Sequence, residues 1–106
     1  MKLTKANLYC GDIKLVNSLF TFLFDCESRI YDGQIEVNIV DSFRFVLIEK
    51  KKRDNFFLFE APSHDIENMK SQIELFNYRN NSNVSFLHVE KRLDILVLGS
   101  RIISII

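Results

Sequence analysis

Two stretches of the chain carry one helical pattern at corresponding places, and this limits the possible folds more than any other feature of the sequence. Asp12 precedes Ile13, Val16, Phe20 and Leu23, which fall on one stripe of a helix with Asp12 placed as its N-cap. Ile66, Met69, Ile73 and Phe76 repeat those positions after Asp65, with Asp65 or Ser63 as the cap. Asp12 and Asp65 are 53 residues apart, half of a 106-residue chain. A chain of that length has room for one shared core. The expectation is a single domain over residues 1–106, made of a first module at about 1–53 and a second at about 54–106.

Strand signals fill the rest in the same order twice. Residues 3–9 and 56–60 precede the two helices as short β-prone runs. After the first helix come 28–31, 34–40 and 43–50, separated by the turn pairs Asp32-Gly33 and Asp41-Ser42. After the second come 84–90, 93–98 and 101–106, broken at Lys91-Arg92 and Gly99-Ser100. The fold class is therefore α+β, two tandem βαβββ modules. Alternation in the 34–39 run turns Ile35, Val37 and Ile39 toward a helix and leaves Gln34, Glu36 and Asn38 on the other face.

Charge and composition narrow the partners. Fourteen basic and fourteen acidic residues give a formal net charge of zero, which removes the electrostatic drive toward nucleic acid. No apolar run follows the basic residues near Met1, so neither a secretory signal nor a membrane anchor is expected, and the reading is cytoplasmic. Cys10 and Cys26 lack metal-ligand spacing and are expected as unpaired thiols. Ten phenylalanines supply more aromatic area than most chains this small carry, enough for a core and also for an apolar cleft or a homodimer interface. The basic run Lys50-Lys51-Lys52-Arg53 is expected as the solvated joint between modules.

The run Ala6-Asn7-Leu8-Tyr9-Cys10-Gly11-Asp12-Ile13, the later Phe45-Val46-Leu47-Ile48-Glu49, His64-Asp65-Ile66 opening the second helix, and the closing Gly99-Ser100-Arg101-Ile102-Ile103 together resemble the vicinal oxygen chelate superfamily. That group contains glyoxalases, bleomycin-resistance proteins and extradiol dioxygenases. The resemblance covers nearly the whole chain and implies eight strands in a curved mixed sheet. Metal-dependent members carry a His on the first strand, where this chain has Lys5, and a Glu on the last, where it has Ile103. Neither side chain offers a lone pair at neutral pH. At the start of the second module's first strand, where another His is common, stand Asp54, Asn55 and Phe56, of which only Asp54 is a plausible ligand. The implied metal site is lost, and no cofactor is expected.

Of the two histidines, His64 is read as structural beside a helix cap. His88 shares a strand face with Phe86 and Glu90 and is a candidate to face a cleft. No nucleophile is placed beside either, so an enzyme is not expected. The sequence favours a metal-free binder of an apolar or amphipathic small molecule, working as a homodimer, with Asn7, Tyr9, Glu36 and His88 as the polar groups of the cleft. A protein-interaction or structural module with a closed cleft is the second reading. A metal-dependent lyase or dioxygenase is third, and would require Glu36, Glu49, Glu60 or Glu90 to converge.

Overall fold

A strand, a helix and three strands occur in that order twice. The computed structural model describes residues 4–40, 43–60 and 66–106. The first set is β1 (Lys5–Cys10), α1 (Ile13–Phe24), β2 (Glu27–Tyr31), β3 (Gln34–Val40) and β4 (Phe43–Glu49). The second is β5 (Leu58–Phe59), α2 (Ile66–Asn80), β6 (Ser85–Val89), β7 (Arg92–Val97) and β8 (Ser100–Ile105). Each set makes its own four-stranded sheet, in the orders β1-β4-β3-β2 and β5-β8-β7-β6. β1 is parallel to β4 and β5 to β8, while the remaining pairs are antiparallel. This is the α+β arrangement of βαβββ modules expected from the sequence.

Local chemistry accounts for most boundaries. Asp12 caps α1, its Oδ1 accepting from the Leu15 amide at 3.1 Å, and α1 ends at Asp25 in the left-handed region (φ 47°). The expected caps of α2, Ser63 and Asp65, lie outside the described residues, as do His64 and the Asp41-Ser42 turn. Asp32 and Gly33 both take positive φ, 54° and 78°, as a two-residue hairpin turn requires. The β7–β8 turn uses Leu98 and Gly99, at φ 54° and 79°, so β8 starts one residue earlier than the expected Gly99-Ser100 break allows.

The repeat is not constant along the chain. α1 and α2 begin at Ile13 and Ile66, 53 apart, but β2 and β6 begin at Glu27 and Ser85, 58 apart. The difference lies in α2, with 15 residues against 12, and in the longer connection after it. Asn77 holds that connection: its Oδ1 accepts from the Val84 amide and its Nδ2 donates to the Val84 carbonyl, both at 2.8 Å.

Both helices lie over one shared core. Val16, Leu19 and Phe20 of α1 and Ile73 and Phe76 of α2 are buried with Leu8, Val37, Phe45, Leu93, Ile95, Ile103 and Ile105 in one cluster. Phe22 meets Phe76 across the helix pair with ring centroids 5.6 Å apart, and Phe45 meets Phe57 at 4.8 Å. Nine phenylalanines lie in this core or against it, and the tenth, Phe56, is 82% exposed. Packing thus crosses the module boundary at both helix and sheet level.

The boundary is also stitched by hydrogen bonds. Asn55 is buried just ahead of β5. Its Oδ1 accepts from the Tyr9 amide at 2.8 Å, and its Nδ2 donates to the carbonyls of Tyr9 at 2.7 Å and Arg101 at 3.0 Å. One side chain thereby ties β1 of the first sheet to β8 of the second. Asp54, the one residue here with ligand character, is used as an acceptor for the Arg101 amide at 2.7 Å.

Candidate functional site

Each sheet has one face on the core and one facing away from the helices, and strand register decides which side chains occupy the second face. Across the first sheet Asn7 stands opposite Val46, Val46 opposite Glu36, and Glu36 opposite Arg29. Lys5 is opposite Arg44 and Tyr9 opposite Ile48 in the flanking rows. Asn7, Tyr9 and Glu36 therefore share the open face, and for Glu36 the alternation in the 34–39 run already pointed there.

Glu36 is the centre of that face. It is 2% exposed, yet it is covered by three cationic side chains instead of by the core. Arg29 donates to Oε1 through Nε at 3.2 Å and Nη2 at 3.0 Å. Lys5 Nζ donates to Oε2 at 3.4 Å, and Arg44 Nη1 lies 3.8 Å from Oε1. Burial pushes the carboxyl pKa up, but the Arg29 hydrogen bond and the Lys5 and Arg29 charges more than offset this and hold it below the ordinary glutamate range. Glu36 is thus ionised at neutral pH and its oxygens are already engaged.

A folded-state pKa below the unfolded one contributes stability that is present above about pH 4.3, the ordinary glutamate value, and is lost as pH falls through the lowered value. Between about pH 6 and pH 3 the melting temperature of the wild type should therefore fall more steeply than that of Glu36→Gln. Parallel curves would show that the cluster contributes nothing to folding.

Two of the depressions among the described residues open on this face. One of about 170 Å³ is lined by Glu27, Ser28, Arg29, Glu36, Asn38 and Arg44. The other, about 290 Å³, lies at the module junction beside Asn7, Tyr9, Asn55 and Phe56. There the Arg53 guanidinium stacks on the Tyr9 ring at 3.9 Å. Lys50, Lys51, Lys52 and Arg53 are all exposed, as expected of a solvated joint, and the last of them also helps shape the junction.

The second module repeats the theme with different wiring. Asp94, third residue of β7 as Glu36 is of β3, is buried and accepts from Ser104 Oγ. Arg92 Nε lies 3.1 Å and Arg101 Nη1 3.9 Å from its carboxylate. Arg101 is committed elsewhere as well: its Nε donates to the Asn55 carbonyl at 2.8 Å and its guanidinium covers the Phe56 ring at 4.6 Å.

His88 does not join Asn7, Tyr9 and Glu36. It pairs with Leu93, a core residue, so it lies on the helix side of its sheet. There Nδ1 is 3.3 Å from Lys70 Nζ of α2, and Nε2 is 2.9 Å from the Glu90 carbonyl. The expectation of a cleft-facing His88 is thereby corrected: Phe86 and His88 share one parity, and the apolar member takes it toward α2. Sequence reading missed Lys5, Arg29 and Arg44 as partners of Glu36; their common parity on three strands was the available signal.

The metal site implied by the superfamily resemblance does not fit these residues. Lys5 presents an ammonium group to Glu36, and Ile103 is buried against the core opposite Ile95, with Ser104 as its open-face neighbour. No group of three or more His, Cys, Asp or Glu side chains suited to a metal ion occurs among the described residues, so Glu36, Glu49, Glu60 and Glu90 do not converge. Cys10 and Cys26 are free thiols. Burial, followed by the Asp12 and Glu49 charges, raises the Cys10 pKa to about 12, which leaves no thiolate for chemistry at neutral pH. A thiol reagent should accordingly leave Cys10 untouched in the native protein and modify it on unfolding; rapid native labelling of Cys10 would contradict its burial.

No helix among the described residues is long and apolar enough to cross a membrane. No protein-family model and no curated protein matches this sequence. Solved structures do match. An integron cassette protein from the mobile metagenome of the Halifax Harbour sewage outfall superposes with a TM-score of 0.67 at 14% identity, covering 98% of this chain and 96% of that one. A variant of the fosfomycin resistance protein FosX from Listeria monocytogenes, complexed with Mn(II) and a dihydroxypropylphosphonic acid, gives 0.69 at 13% identity, covering 98% and 87%. A possible glyoxalase from Bacillus cereus gives 0.61 at 16% identity, covering 100% and 98%. Similarity at this level speaks for architecture and not for activity. Sheet order, module repeat and these superpositions agree that the chain has the glyoxalase-like vicinal oxygen chelate fold.

Proposed function

We propose that this protein binds a small molecule without a metal, in the manner of the bleomycin-resistance type, and that it works as a homodimer in the cytoplasm. The observation that carries the reading is Glu36: the one fully shielded carboxylate on the open face of the first sheet is engaged by Lys5, Arg29 and Arg44, a setting hostile to a divalent cation. The FosX neighbour was solved with Mn(II); the cations around Glu36 favour binding without that chemistry here. Asn7 and Tyr9 supply polar contacts, and the partly exposed Ile48 opposite Tyr9 supplies apolar area, which suits an amphipathic ligand.

Dimerisation is supported by the second sheet. Leu58, Ser104, Asp94 and Leu87 form one row of its open face. Leu58 and Leu87 are more than half exposed, and Val89 and Phe56 extend the apolar area. A second copy of the chain would cover this surface and wall off the binding face. The same residues favour the second reading, a protein-interaction module, if the occupant is a different protein.

Amide NMR with a library of small organic fragments, in the presence of EDTA, tests the binding role. Shifts clustered on β1, β3 and β4 are expected. Hits confined to the helix side, or none at all, would remove it. Sedimentation equilibrium at micromolar concentration should show two chains per particle, and a single species of one-chain mass would remove the dimer.

A further inference from the structure

Three cations around one carboxylate exceed what burial of that carboxylate needs. Arg29 alone satisfies Oε1 with two hydrogen bonds, and Lys5 reaches Oε2. Arg44 makes no hydrogen bond through its guanidinium among the described residues, only the 3.8 Å approach to Glu36. All three stay close to half exposed, at 49%, 50% and 41%. Glu27, on the rim of the same depression, leaves one unit of positive charge uncompensated. Cations held together at a partly desolvated site repel one another unless an anion joins them.

The second module serves as an internal comparison. Its arginine at the matching place, Arg101, is second in β8 as Arg44 is second in β4. Arg101 is tied to the Asn55 carbonyl and laid over Phe56, so its position has a structural explanation. Among the described residues Arg44 has none of these ties. Its planar fork of donors is suited to bidentate capture of an oxyanion.

We propose that the depression between Arg29 and Arg44 takes the anionic head, a carboxylate, phosphonate or phosphate, of the small ligand, with Lys5 adding charge and Glu36 positioning the cations. This rests on the small-molecule reading above and names the ligand's chemical class. At about 170 Å³ the depression is smaller than a drug-sized pocket; such pockets run to roughly 300–1,000 Å³. It holds a head group, while the remainder lies past Ile48 toward Tyr9 and the junction depression.

The test is NMR titration with acetate, methylphosphonate and inorganic phosphate separately, following the side-chain Nε–H signals of Arg29 and Arg44. Saturable shifts that weaken as sodium chloride rises are expected. Arg44→Gln should weaken binding about tenfold or more, with Lys5→Gln as a second variant should the first melt much earlier than the wild type. A site for free phosphate would answer inorganic phosphate as well as methylphosphonate, whereas a site for an organic acid would prefer the organic probes. No saturable shift with any of the three, or unchanged affinity in both variants, overturns the proposal. Neutral fragments binding in its absence would leave the small-molecule reading standing and remove only the anion. A polyglutamate or an oligonucleotide binding more tightly than every small anion would also overturn it, in favour of a macromolecular partner.

Discussion

Phe20→Ala is expected to lower the unfolding free energy by about 3–5 kcal/mol, and Ile73→Ala by about 2–5 kcal/mol, in denaturant melts. Both side chains are fully buried at equivalent places on α1 and α2. Phe20 meets the edge of Phe24 with centroids 5.6 Å apart, so its removal breaks an aromatic pair and leaves a cavity between helix and sheet. The shared core makes the two substitutions report on one cooperative unit, with the transition remaining two-state in each. Losses below about 1 kcal/mol in both would mean that neither helix packs as described.

Asn55→Ala carries the next largest effect, about 2–4 kcal/mol, because it leaves the Tyr9 amide and two backbone carbonyls without their partner at a buried junction. Asn55→Asp separates the contributions. An aspartate retains an acceptor for the Tyr9 amide but cannot donate to Tyr9 and Arg101, and it adds a buried charge, so it should be no more stable than the alanine variant. Equal stability of Asn55→Asp and wild type would show that the two donated hydrogen bonds are dispensable.

Architecture was legible because it rests on short-range signals. Asp12 as cap, the stripe from Ile13 to Leu23, and Asp32-Gly33 as a turn each act over a few residues, and each element forms within a residue or two of its expected place. The site was legible only in part, because it depends on register across strands. Parity placed Glu36 on the open face, but nothing near Glu36 in sequence announces that residues 5, 29 and 44 meet it; that follows from β2 and β4 bordering β3 and β1 lying beyond β4 in one sheet. His88 shows the converse. Its parity with Phe86 was visible, and the choice of face was decided by Leu93 and Ile95 across the ladder. Asn55 stands where the resemblance implies a ligand, whereas its three hydrogen bonds bridge residues 46 positions away in both directions.

On the proposed function, this face works with its carboxylate held by cations and without a metal. Elemental analysis of protein purified from cells supplied with manganese, iron, nickel and zinc, without a chelator or an affinity tag that binds metal, tests it most directly. Far less than one metal per chain and a melting temperature unmoved by EDTA are expected. One tightly held metal per chain, removed by EDTA with a fall in melting temperature, would contradict it.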